Sequence, residues 1–162
     1  MDLTAIWQQD LADEAATLAF GASFANALTA PLTVYLLGDL GAGKTTFTRG
    51  VLRGLGHTGT VKSPTYAIVE SYALPNFPLN HFDLYRFNSP EEWEDAGLDD
   101  LIADSVNLVE WPDRGDGFVP SADLSIQLNH QTAGRSVSVR AHTPQGRQIL
   151  QLWTSNSLAA KS

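Results

Sequence analysis

The chain has 162 residues, enough to bury one sizeable core and short for two, so a single domain with one site is expected. Apolar residues make up 43% and charged residues 17%, an ordinary globular balance, and no stretch approaches the roughly 20 apolar residues that span a bilayer. Lys+Arg 10 against Asp+Glu 18 give a net charge of -8, which disfavours a direct, tight nucleic-acid binder unless the few cations cluster.

The opening MDLTAIWQQDLADE is acidic and lacks a basic region followed by an apolar run, so it does not read as a secretory signal. With Cys 0, disulfides and thiolate metal sites are excluded, and a reducing, cytoplasmic setting with no membrane partner is expected. In LADEAATLAFGASFANALT, Leu11, Ala15, Leu18, Ala22 and Ala25 recur at helical spacing, predicting an amphipathic helix with that stripe on the core. LTVYLL (32–37) is a continuous apolar run and predicts a strand covered on both faces, as parallel strands are. GKTTFTRGVLRGLG predicts a helix that begins near Gly43 and stops at Gly54 or Gly56.

AIVESYAL (67–74) and LNHFDLYRF (79–87), separated by PNFP, read as an antiparallel hairpin. In SPEEWEDAGLDDLIAD, Ser89 as N-cap, Pro90 at the first helical position and Glu92 three after the cap form a capping box that predicts a surface helix. NLVEW (107–111) reads as a buried strand ended by Pro112, and DRGDGFVP as a loop. DLSIQLNH and SVSVRAH around QTAGR form a second hairpin, and a short helix near RQILQLW precedes a frayed tail, NSLAAKS. No repeat or low-complexity linker interrupts this order. One α/β domain with a central mixed sheet is expected over residues 1–155, with 156–162 as a flexible C-terminal tail.

Gly38, Gly43, Lys44 and Thr45 fit G-x-x-x-x-G-K-[ST] between a predicted strand and a predicted helix. Glycines let the backbone curl so that its N–H groups face phosphate oxygens, and the helix adds its positive N-terminal end. In that chemistry Lys44 reaches the outer phosphates and the Thr45 hydroxyl ligates Mg²⁺. Only three lysines exist, Lys44, Lys62 and Lys161, and the first two lie in or near this stretch. A phosphate-bound Mg²⁺ also takes an acidic residue at a neighbouring strand end. Asp83 in HFDLYR and Glu110 in NLVEW both qualify, Glu110 on the cleaner apolar run. Either is otherwise a solvated carboxylate at a strand end. No lysine stands in an N-K-x-D pattern, which favours ATP over GTP.

VKSPTY (61–66) follows the phosphate-loop helix, where a segment that senses the terminal phosphate is often found. Ser63 or Thr65 offers a hydroxyl and Lys62 a charge, although Pro64 alone accounts for a turn. Arg86, Arg114 and Arg135 are candidate charge stabilisers that otherwise read as surface ion-pair partners. Trp111 either caps the core or stands near the nucleotide, while Trp7, Trp93 and Trp153 read as packing residues. His57, His81, His130 and His142 show no metal-ligand spacing, so none is assigned a metal role.

Together, GDLGAGKTTFTRG, VKSPTY, HFDLYR and LVEWPDR, in this order, make the chain resemble the TsaE family, also called YjeE, over about Ala15 to Arg135. These are small bacterial P-loop ATPases required for threonylcarbamoyl modification of tRNA. The resemblance implies a P-loop NTPase-like α/β fold with a mixed, mostly parallel sheet flanked by helices. It implies ATP hydrolysis in support of TsaD and TsaB, which act on the adenosine beside the anticodon of tRNAs reading ANN codons, with tRNA met only through those partners and the chain monomeric alone.

Carried over residue by residue, Lys44 holds the phosphates, Thr45 and Glu110 bind Mg²⁺, and Asp83 matches the acidic residue needed for hydrolysis. Asp39, Leu40, Gly41, Ala42, Gly43, Lys44, Thr45 and Thr46 form the nucleotide loop, and Ser63, Pro64, Thr65, Tyr66 and Trp111 match switch-like positions. Arg135 is a nucleotide contact and Asp13 marks the segment expected near adenine. Without an inbuilt arginine finger, turnover is expected to be slow alone and partner-stimulated. Two other readings stay open: a small-molecule kinase, which needs an acceptor pocket and an arginine-bearing lid, and a nucleotide-gated binding module in which turnover is secondary.

Overall fold

The computed structural model describes residues 6–39, 41–131 and 133–161. In chain order these form β1 (Ile6–Leu11), α1 (Glu14–Ala25), β2 (Leu32–Leu37), α2 (Lys44–Gly54), β3 (Val69–Ala73) and β4 (Pro78–Asp83). Then come α3 (Glu92–Asp95), β5 (Val106–Glu110), β6 (Leu124–His130), β7 (Arg135–Ala141) and α4 (Pro144–Lys161), with 3-10 turns at Leu98–Leu101 and Pro112–Gly115. The strands make one seven-stranded sheet in the order β1-β7-β6-β2-β5-β4-β3. Its four central strands, β6, β2, β5 and β4, run parallel, and β3 and β7 pair antiparallel to their neighbours, so the sheet is mixed and mostly parallel in its centre.

The larger core lies between one sheet face and α1, α2 and α4, where Val34, Leu36, Leu108 and Ile126 meet Phe24, Phe47, Val51 and Trp153. A smaller core on the other face joins Phe82 and Val109 to Trp93 and Leu98. The helices α1 and α2 touch backbone to backbone. A Cβ on Gly21 would stand 2.3 Å from the Phe47 carbonyl oxygen, and one on Gly50 would stand 2.2 Å from the Leu18 carbonyl oxygen.

Four expectations are corrected by the fold. Leu11 ends β1, an edge strand paired with β7, rather than opening a helix. The buried face of α1 is Thr17, Phe20, Gly21, Phe24 and Ala25, whereas Ala15 is exposed and Leu18 and Ala22 are half-buried. Burial rewards area, so two phenylalanines orient the helix where an alanine stripe cannot. The predicted surface helix shortens to α3 because Gly97, at φ 68, turns the chain out of it. Half of the capping box is present, since the Glu92 carboxylate accepts the N–H groups of Ser89 (3.1 Å) and Asn88. The last helix, α4, starts earlier than expected and runs on to Lys161, into the stretch read as a tail.

Candidate nucleotide site

The parallel strands β2, β4 and β5 end together, and their C-terminal ends carry Gly38, Asp83 and Glu110 to one crevice, where open α/β sheets place their ligands. Gly38 (φ 140) leaves no room for a side chain, since a Cβ there would lie 2.5 Å from the Leu128 carbonyl oxygen. Gly43, at φ 105, turns the loop into α2 in a backbone region that disfavours other residues. Leu40, expected in the loop, lies outside the described residues.

Lys44 opens α2 with its side chain buried. Its ammonium donates to the Gly38 carbonyl at 2.8 Å, lies 3.5 Å from Glu110 Oε1 and sits over the Trp111 ring, 4.5 Å from the centroid. Trp111 itself holds a left-handed backbone (φ 55), an uncommon conformation for a bulky residue. Arg135 reaches across from β7 and donates to the Ala42 carbonyl (3.1 Å) and the Gly41 carbonyl (3.3 Å). It therefore braces the loop from the side its carbonyls face.

Asp83 and Glu110 are register partners on β4 and β5. Burial raises the Asp83 carboxyl above its ordinary value, and the charge of Glu110 adds to this, while the Tyr85 N–H at 2.9 Å opposes it. Burial pushes Glu110 up as well, but the hydrogen bond and charge of His81 and the charge of Lys44 together outweigh it and hold the carboxyl below its ordinary value. Glu110 is thus an anion, and His81 Nε2, 2.5 Å from Oε2, donates to it.

The segment after α2 is tied to the same place. Thr65 donates its hydroxyl to Asp83 Oδ2 at 3.4 Å and shares a 2.7 Å hydrogen bond with Ser63 Oγ. Ile68, at φ 70, donates to the Pro64 carbonyl and accepts the Asp83 N–H, each at 2.8 Å, which pins residues 64–68 to the end of β4.

A cavity of about 340 Å³ lies over the loop. Gly41, Gly43, Lys44, Thr45 and Thr46 line it together with Ser63, Thr65, Asp83, Glu110, Asp13, Thr17 and Arg135. Both candidate carboxylates belong to it. Asp13 also caps α1, accepting the Ala16 N–H at 2.8 Å, which gives its carboxylate a structural task of its own.

Other expected residues stand apart. Ala42 is buried beneath the loop, and Asp39 and Trp111 line a separate hollow of about 170 Å³ that shares Lys44. Pro64 is buried outside the lining, and Tyr66 is 83% exposed with Arg86 stacked on it at 4.2 Å. Neither Arg86 nor Arg114 lines the cavity. Sequence reasoning missed His81, whose signal is its position two residues before Asp83, on the same side of the strand.

Among the described residues no helix is long and apolar enough to cross a membrane. The family model described as Threonylcarbamoyl adenosine biosynthesis protein TsaE matches residues 11–137. The tRNA threonylcarbamoyladenosine biosynthesis protein TsaE of Haemophilus influenzae is 43% identical over 152 residues, covering 90% of this chain and 96% of that protein. The protein of the same name from Rickettsia bellii is 34% identical over 122 residues, covering 75% of this chain and 85% of the relative. The crystal structure of YdiB from Bacillus subtilis superposes with a TM-score of 0.80 at 25% identity, covering 97% of this chain and 99% of that one. The family model's match over residues 11–137, with a relative 43% identical over 90% of this chain, makes this chain a member of the TsaE family of threonylcarbamoyl adenosine biosynthesis proteins.

Proposed function

We propose that the chain binds ATP with Mg²⁺ over the loop at 38–45 and hydrolyses it in the cytoplasm in support of TsaD and TsaB. Those partners form N6-threonylcarbamoyladenosine next to the anticodon of tRNAs reading ANN codons. The observation that carries this reading is Lys44: a buried ammonium at the head of a helix, lining a cavity and ion-paired to Glu110 at 3.5 Å. Isolated buried cations are unfavourable, and one held at a helix N-terminus beside a left-handed glycine is suited to polyphosphate.

The donor set fits a magnesium ion. The Thr45 hydroxyl and the Glu110 and Asp83 carboxylates all line the cavity and are hard oxygen donors. Among the described residues no group of three or more His, Cys, Asp or Glu side chains is placed to hold a metal ion; magnesium takes few protein ligands and completes its shell with phosphates and water. Thr45 and Glu110 would hold it, and when bound it supplies charge neutralisation to the phosphates.

Lys44, with the backbone N–H groups of residues 41–46, binds and orients the phosphates. Asp83 is the proton acceptor for the attacking water, since a carboxylate with a raised pKa takes a proton more readily than an ordinary one. Thr65, bonded to both Ser63 and Asp83, ties the response of segment 63–66 to that water. Arg135 is occupied by loop carbonyls and, among the described residues, no second arginine lines the cavity, so transition-state charge is under-compensated and turnover is slow in the chain alone. A partner that supplies the missing charge would raise it by about 10³ to 10⁵. The chain acts as a monomer in the free state, and its net charge of -8 fits contact with tRNA through partners only. Among the described residues the lining holds no arginine besides Arg135, whereas a small-molecule kinase needs an arginine-bearing lid.

The test is phosphate release from ATP by the purified chain, alone and with TsaD, TsaB and tRNA, with Lys44→Ala as the control for contaminating activity. Slow release that the partners stimulate and the variant lacks is the expected result. Tight ATP binding with no Lys44-dependent release under any condition would replace the hydrolase by a nucleotide-gated binding module.

A further inference from the structure

We propose that His81 is a positioning residue for Glu110, fixing the carboxylate so that Lys44 and the metal-binding position are both served; this rests on the nucleotide-hydrolysing reading above. His81 is fully buried on β4, and its Nε2 lies 2.5 Å from Glu110 Oε2, while Glu110 Oε1 lies 3.5 Å from the Lys44 ammonium. Each carboxylate oxygen therefore has its own partner. The other ring nitrogen, Nδ1, is buried with no hydrogen-bond partner. An apolar ring would fill the same space and leave no unmatched nitrogen, so packing does not account for a histidine here, and its one polar contact is with Glu110.

A glutamate side chain swings on three rotatable bonds. With Lys44 as its only neighbour, Glu110 would close onto the ammonium as a short charge-assisted pair, and both groups would be withdrawn from phosphate and metal. His81 holds one oxygen on the far side, and the 3.5 Å separation from Lys44 is what that restraint leaves. The parallel register makes this possible: Asp83 pairs with Glu110, and His81, two residues earlier on the same side of β4, reaches the longer side chain from beneath.

The experiment compares His81→Phe, which keeps a ring without a donor, His81→Gln, which keeps an N–H near the Nε2 position, Glu110→Gln, and the Glu110→Gln/His81→Phe double variant. In the free protein, the imidazole N–H proton resonance of His81 is expected far downfield and protected from exchange in the wild type, and displaced in Glu110→Gln. With ATP, His81→Phe is expected to lower kcat by about 10- to 100-fold and to raise the Mg²⁺ needed for half-maximal binding of a fluorescent ATP analogue by a similar factor, with KM for ATP little changed. His81→Gln is expected to restore most of both, and in the Glu110→Gln background the loss of His81 should have no further effect.

A folded His81→Phe with wild-type kcat and Mg²⁺ dependence overturns the proposal, as does an equal loss in the Glu110→Gln background. If the phenylalanine variant does not fold, His81→Asn, whose amide stops short of Glu110, stands against His81→Gln in the same comparison. Failure of the hydrolysis reading is separately visible: wild-type phosphate release would then be absent, while the proton resonance and the Mg²⁺ dependence of analogue binding still decide the role of His81.

Discussion

Asp83 and Glu110 face each other in register on adjacent parallel strands, and their surroundings drive the two carboxyls in opposite directions. Asp83 is raised, so the folded chain holds its proton more tightly than the unfolded chain, and stability falls as pH rises from the ordinary value of 3.8 through the higher folded value. Glu110 is lowered, so its stabilisation is present above the ordinary 4.5 and is lost as pH falls through the folded value. Asp83→Asn is therefore expected to raise the melting temperature by about 2–4 °C near neutral pH, with the gain vanishing in acid. Glu110→Gln is expected to lower it, because it leaves Lys44 without its carboxylate, and that loss also shrinks in acid. Thermal unfolding of both variants between about pH 3.5 and about pH 7.5 checks the opposite signs.

Arg135 lines the cavity and donates to the loop carbonyls of Gly41 and Ala42, as well as to the carbonyl of its neighbour Gly134. Arg135→Ala is expected to loosen the loop and raise KM for ATP by about 5- to 20-fold, with kcat falling by less than about threefold. Steady-state phosphate release gives the split. A fall in kcat alone would instead make Arg135 a transition-state contact.

Thr65→Val keeps the shape of the side chain and removes the hydroxyl that joins Ser63 to Asp83. Nucleotide affinity should hold within about twofold while kcat drops by about tenfold. Measuring fluorescent-analogue binding beside turnover separates the two. Ser63→Ala, which leaves Thr65 bonded to Asp83, is expected to do less.

Gly50→Ala brings a methyl to 2.2 Å from the Leu18 carbonyl oxygen, a backbone atom that moves only if α1 moves. The cost should be about 2–3 kcal/mol, or a fall in melting temperature of about 4–12 °C. Alanine is otherwise the better helix former, so a rise in melting temperature would show that the helices do not touch there.

What the sequence made legible follows from where the determining forces lie. LTVYLL was readable to the residue because β2 is central and apolar on both faces, and the loop set the start of α2 at Lys44. IWQQDL was not readable as a strand, because it is an edge with exposed Gln8 and Asp10 and its pairing partner, β7, is more than a hundred residues away. Within the site, Lys44, Thr45, Asp83 and Glu110 declare themselves by local pattern, and the register then unites the two carboxylates. His81 does not, since its partner stands on another strand and no ligand-like spacing marks it.

The contact of Gly21 with Phe47 and of Gly50 with Leu18 reaches beyond packing. Asp13 heads α1 and Lys44 heads α2, and both line the same cavity. With the two helices seated on each other at bare backbone, their leading ends are held side by side at the cavity by two residues that have no side chains and do not line it.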